Sequence, residues 1–81
     1  MMKESEILKI LQEIFDDIFE ENSIKINQST TSESIEQWDS LNHINLMSAI
    51  EIEFDFKFSL SEFMNANNLA SIVEIIKYKI S

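Results

Sequence analysis

The chain of 81 residues contains no cysteine, no glycine and no proline, and it has only 6 Lys and Arg against 15 Asp and Glu. Without cysteine there is no disulfide framework, no thiolate nucleophile and no zinc-ribbon pattern, so any thiol chemistry has to come from an attached cofactor. Without glycine there is no calcium loop of alternating Asp and Asn around a central glycine. The scarcity of basic residues, with a net charge of -9 and a pI near 4.3, works against binding a polyanion, because phosphate contacts dominate nucleic-acid affinity. Basic proteins are the natural partners of such a surface. Long apolar runs are missing too. No stretch approaches the roughly 20 apolar residues that span a bilayer, and Met1-Met2-Lys3-Glu4-Ser5-Glu6 turns acidic before an apolar run develops. The expectation is a cytoplasmic protein with neither nucleic acid nor membrane as a partner.

What is present is 44% hydrophobic and 26% charged residues, the composition of one small globular domain spanning residues 1–81. A domain of this size buries roughly 60% of the surface its unfolded chain exposes, so its core is thin. A roomy enclosed active site is not expected.

Apolar spacing predicts an all-α protein of three main helices and one short one. In residues 3–20, Ile7, Leu8, Ile10, Leu11, Ile14, Phe15, Ile18 and Phe19 recur at steps of three and four. Residues 22–37 are rich in Asn, Gln, Ser and Thr and read as a long surface connection pinned by Ile24, Ile26 and Ile35. A second helix opens at Asp39 or Ser40, whose short oxygen-bearing side chains suit a helix start, and runs to Phe54. Leu46, Ile50 and Phe54, with Ala49 beside them, form its inward stripe. Leu41, Ile44 and Met47 fall on a neighbouring face, read either as a wider core stripe or as an exposed apolar patch. Phe56 and Phe58 flank Lys57 in an extended link. Residues 60–64 make a short helix opened by Ser59 or Ser61, and Asn68 caps a last helix whose apolar positions run from Leu69 to Ile80.

The chemistry concentrates at Trp38-Asp39-Ser40-Leu41, which closes the polar loop and opens the second helix. A serine hydroxyl there sits where backbone amides and the helix dipole favour a phosphate. A serine after an aspartate at a helix start is also an ordinary cap. His43 is the only histidine, so without cysteine it is not half of a familiar zinc or catalytic constellation. It sits one turn after Ser40, either in reach of a phosphate there or as a plain surface residue.

This loop, the Asp-Ser-Leu that ends it and the following Ile44, Leu46, Ile50, Glu51 and Phe54 resemble the acyl carrier protein family, the phosphopantetheine-attachment domains, over nearly the whole chain. The resemblance implies that Ser40 receives 4'-phosphopantetheine from coenzyme A through a phosphopantetheinyl transferase. It also implies a monomer without catalysis of its own, whose arm carries acyl groups on its thiol as thioesters, which reconciles thioester chemistry with a chain lacking cysteine. Asp39 matches the aspartate beside the serine, which helps position the transferase's metal and coenzyme A. Leu41, Ile44, Met47 and Glu51, with Trp38, then belong to the partner-docking surface, and acyl-loading and acyl-transfer enzymes with basic surfaces are the implied partners. Glu33, Glu36, Glu53 and Asp55 add acidic charge around it. Trp38 stands where such carriers have a small residue, and it either shields the root of the arm or plugs the loop onto the bundle. The glycine before it is absent, His43 and Asn45 replace acidic or small residues, and Glu62 is the only acid of the short helix. These departures point to a stand-alone carrier of a specialised pathway. An aminoacyl or peptidyl carrier, and a helical interaction module with unmodified Ser40, stay open as alternatives.

Overall fold

The computed structural model describes residues 2–19, 25–27 and 29–80. Its helices are α1 (Glu4–Ile18), α2 (Ser40–Phe54), α3 (Leu60–Asn65) and α4 (Leu69–Ile80). Among the described residues the extended pairing is one isolated bridge, between Thr31 and Asn68. The all-α arrangement of three main helices and one short one expected from the sequence is the arrangement observed among the described residues. Glu20 and Ile24 lie outside the described residues.

Local chemistry sets each helix start. At α1 the backbone N–H of Lys3 donates to Glu6 Oε1 at 3.1 Å. At α2 Asp39 is the cap, its Oδ1 accepting the Asn42 N–H at 2.8 Å. At α3 Ser59 Oγ accepts the Glu62 N–H at 3.1 Å while Glu62 Oε1 accepts the Ser59 N–H at 2.8 Å, a reciprocal pair that satisfies two otherwise orphaned donors. At α4 Asn68 Oδ1 accepts the Ser71 N–H at 2.8 Å. The far end of α2 closes at Asp55, with φ 58 and ψ 57. Glycine is the usual residue in this left-handed conformation, and in a chain without glycine a short polar aspartate takes the position.

Buried side chains of α1, α2 and α4 meet in one core. Ile7, Leu11, Phe15, Leu46, Met47, Ile50, Leu69, Ile72 and Ile76 are all essentially inaccessible, each worth about 1.5–3 kcal/mol of burial. Met47 is the correction here. It was expected on the partner face with Leu41 and Ile44, yet it is fully buried while those two are 68% and 50% exposed. Steps of three residues drift backwards by about 60° each on a 3.6-residue helix, so Met47 stands about 120° round from Leu41 and joins Ile50 inside.

The long connection is held by specific ties rather than by apolar residues alone. Ile26 is half-buried and Ile35 buried. The Ile26 N–H donates to Gln12 Oε1 on α1 at 3.0 Å. Further on, the Leu69 N–H donates to the Thr30 carbonyl and the Ser32 N–H to the Asn67 carbonyl, both at 2.8 Å. A polar loop can lie ordered on the bundle because its backbone groups find such partners. These ties draw the loop and the α3–α4 link together beside the start of α2.

Among the described residues two ion pairs link separate helices, Lys77 with Glu4 at 3.3 Å and Lys79 with Glu62 at 3.1 Å, and Lys77 also pairs with Glu74 within α4. The Lys79 pair joins α3 to α4. The Ser59 backbone N–H, and to a lesser degree Lys79, hold the Glu62 carboxyl below its ordinary range.

Candidate functional site

Ser40 is the first residue of α2 and is exposed. The first amides of any helix have no intrahelical carbonyl to bond, and with the dipole they favour an anionic oxygen nearby. Asp39 is exposed and spends one carboxylate oxygen on the Asn42 amide. Asn42 in turn donates through Nδ2 to the Gln37 carbonyl at 2.8 Å, which locks the last turn of the loop against the helix.

Beside Ser40 lies an open depression of about 290 Å³ lined by Ser32, Trp38, Asp39, Ser40, His43, Met64 and Asn67. Ser32, Met64 and Asn67 were not singled out from sequence. They come from the loop, from α3 and from the α3–α4 link, and no sequence spacing connects them to Ser40.

Trp38 is buried, with its ring edge-on to Phe15 at 5.5 Å and tilted against Phe19 at 6.2 Å. It plugs the loop onto α1, so its assignment to the partner surface is corrected: a ring packed against two phenylalanines presents almost nothing outward. Its Nε1–H donates to His43 Nδ1 at 3.0 Å. An indole nitrogen only donates, so His43 Nδ1 is the acceptor and the ring proton sits on Nε2, which donates to the Phe63 carbonyl at 2.8 Å. The Trp38 and His43 rings are stacked at 6.1 Å, and Phe63 meets His43 edge-on at 5.1 Å. His43 is therefore a structural bridge between the loop and α3. Both its nitrogens are engaged, which leaves neither for a phosphate on Ser40 and distinguishes it from a plain surface histidine.

Leu41 and Ile44 remain at the surface on the first turns of α2. Glu51 is half-buried, and its Oε2 accepts the Phe58 N–H at 2.8 Å. Charge reversal there would remove this tie between α2 and the extended link, so Glu51→Gln, which keeps an oxygen acceptor, is the variant that isolates the charge. Glu33, Glu36, Glu53 and Asp55 are exposed. Among the described residues no group of three His, Cys, Asp or Glu side chains is placed to hold a metal, and no helix is long and apolar enough to cross a membrane.

The arrangement suits an arm joined through a phosphodiester: an exposed hydroxyl, a helix start behind it and an open depression beside it. Comparison with known proteins agrees. The family model for the phosphopantetheine attachment site matches residues 5–76. Among solved structures, the solution NMR structure of the holo acyl carrier protein from Geobacter metallireducens is similar, with a TM-score of 0.82 and 32% sequence identity over 90% of this chain and 84% of that one. A search of curated proteins finds no match. The chain thus belongs to the phosphopantetheine-attachment family, as an acyl carrier protein whose prosthetic group is covalently attached 4'-phosphopantetheine.

Proposed function

We propose that Ser40 is the attachment residue and that the domain carries acyl intermediates between separate enzymes of a specialised biosynthetic pathway. The observation that carries this reading is the exposed Ser40 at the first turn of α2, next to an exposed aspartate that caps the helix through one carboxylate oxygen. When bound, the prosthetic group supplies the thiol that this chain lacks. The residues of the chain do the rest. The start of α2 stabilises the phosphodiester, and Asp39 presents its carboxylate beside it to the transferase. The Trp38–His43–Phe63 bridge keeps the root of the arm on a rigid surface.

Leu41, Ile44, Ile52 and Leu60, all exposed, form the apolar part of the partner surface in this proposal. Glu33, Glu36, Glu51, Glu53 and Asp55 supply the charge that attracts basic enzymes. Such contacts are weak and fast, which suits a carrier that visits a phosphopantetheinyl transferase and then loading and transfer enzymes in turn. The specialised role rests on Trp38 and His43 being built into the fold around the site and on Glu62 being the single acid of α3.

The test is intact mass after incubation with coenzyme A, magnesium and a broad-specificity phosphopantetheinyl transferase. The wild type gains one phosphopantetheine and Ser40→Ala gains none. No gain in the wild type, beside a control carrier that is modified, would instead favour the interaction module with unmodified Ser40. Loading the modified protein from acyl and aminoacyl donors then separates an acyl carrier from an aminoacyl or peptidyl one.

A further inference from the structure

The single tryptophan and the single histidine of the chain are bonded to each other. Trp38 Nε1–H donates to His43 Nδ1 at 3.0 Å, and His43 Nε2–H donates to the Phe63 carbonyl at 2.8 Å. One imidazole on α2 thus ties the loop to α3. The pattern needs one accepting and one donating ring nitrogen, which only the neutral ring has, because a protonated imidazole donates from both. A second proton goes on Nδ1, the atom that accepts the Trp38 bond. Two N–H groups then face each other across 3.0 Å.

The two halves of the bridge respond differently. The Phe63 carbonyl still accepts from Nε2, and a bond from a charged donor is the stronger kind. The indole N–H loses its acceptor in a residue that is only 6% exposed, and a buried donor without a partner is costly. The bridge therefore parts between Trp38 and His43, on the loop side, while α3 stays with α2.

We propose that the Trp38–His43 pair is a proton-sensitive latch, closed while His43 is neutral and releasing the loop from α2 when the imidazole gains a proton. The released state holds one proton more than the latched one, so latching strengthens as pH rises and weakens as it falls. With one histidine and no cysteine, His43 is the one side chain of an ordinary type that changes charge between about pH 5 and 8. The charged residues on the elements packed around the pair are otherwise engaged or exposed. Asp39 on α2 lines the same depression as His43 and caps the Asn42 N–H. Glu36 in the loop is exposed, and Asp16 of α1, beside Phe15, accepts from Gln12. Glu62 on α3 is held by the Ser59 N–H and by Lys79 of α4. The two ring nitrogens are bonded to Trp38 and Phe63 instead, so those bonds decide what the proton does. Trp38 also walls the depression beside Ser40. A proton on His43 thus loosens the rim of the attachment site, a consequence that rests on attachment at Ser40, whereas the latch itself does not.

The experiment uses the unmodified full chain, titrated from about pH 8 to about pH 5.5, the range in which an imidazole takes its second proton. Trp38 fluorescence and the NMR signals of the Trp38 indole N–H and the His43 ring are followed together. The latch predicts that the Trp38 signals change in one step with the His43 ring. His43→Gln, whose side chain offers an acceptor and a donor without titrating, gives a flat Trp38 signal over the same range. Trp38→Phe keeps a packed ring and lacks the N–H, and the excess of the wild type over it in the urea unfolding constant shrinks by about fivefold from the upper pH to the lower, the worth of one hydrogen bond. A flat Trp38 signal in the wild type, an equal change in His43→Gln, or a wild-type excess over Trp38→Phe that is constant with pH overturns the latch. Each of these leaves attachment at Ser40 standing, and a failure of modification at Ser40 leaves the latch standing.

Discussion

Leu41 and Met47 stand on the same helix, one 68% exposed and the other fully buried, and this contrast separates docking from folding. Met47→Ala is expected to cost about 2–5 kcal/mol, since it leaves a cavity in a closely packed core. At roughly 4–8 °C per kcal/mol for a domain of this size, thermal unfolding followed by circular dichroism reads it easily. Leu41→Ala is expected to change stability by less than about 0.5 kcal/mol and to slow acyl transfer by a partner enzyme. Equal stability losses at the two positions would refute the assignment. Residues of this kind mark the limit of what the sequence shows. Asp39, Ser59 and Asn68 were legible as caps because capping is a contact between near neighbours in the chain. The start of α2 at Ser40 was legible for the same reason, since the capping Asp39 is its immediate neighbour. Met47 was misplaced because a three-residue step looks like one face over a single turn and drifts away over two. The Trp38 to His43 to Phe63 bridge, and the convergence of Ser32, Met64 and Asn67, depend on how the elements pack, which no local spacing encodes.

At the scale of elements, the short α3 is the most dependent on its ends. It buries no residue completely, so the Ser59–Glu62 cap, the Lys79 ion pair and the His43 bond to the Phe63 carbonyl do much of the holding. Glu62 makes this dependence measurable. Its carboxyl is held below the ordinary value of 4.5 first by the Ser59 N–H and then, more weakly, by Lys79. A folded-state pKa below the unfolded one means the contribution is complete above the ordinary carboxylate range and is lost as pH falls through the lower folded value. Wild type should therefore exceed Glu62→Gln in urea stability at about pH 6, and the gap should close as pH falls through the lowered folded value. A gap that stays constant across that range would mean the charge of Glu62 contributes nothing. The effect is modest because the pair is partly exposed and solvent screens it. The existence and order of the helices followed from apolar periodicity together with the capping residues at their starts. The way the loop is stitched to α4 through Thr30, Thr31 and Ser32 did not, because backbone pairing leaves no mark on side-chain pattern.

For the molecule as a whole, charge and size act together. The net charge of -9 is carried on a body 31 × 26 × 21 Å across. At 0.01 M salt the screening length is about 30 Å, so every charge feels every other, whereas at 0.15 M it is about 8 Å and the repulsion becomes local. Raising salt over that interval should raise the melting temperature, and divalent cations should do so at lower concentration. A melting temperature that is flat or falls with salt would show that local ion pairs such as Lys79 with Glu62 outweigh the global repulsion. The same acidic field gives basic partner enzymes a fast approach, so their association rates should fall over the salt range that stabilises the carrier. Stability and recognition thus respond to ionic strength with opposite signs.

The central claim is that one exposed hydroxyl at the start of α2 bears the prosthetic group. The most direct measurement is sequence-resolved fragmentation of the transferase-treated protein by tandem mass spectrometry. The account predicts a single phosphopantetheine localised to Ser40, with the other serines, including Ser32 in the same depression and Ser48 on the same helix, unmodified. Localisation to any other residue, or a protein left unmodified while a control carrier is converted, would contradict it.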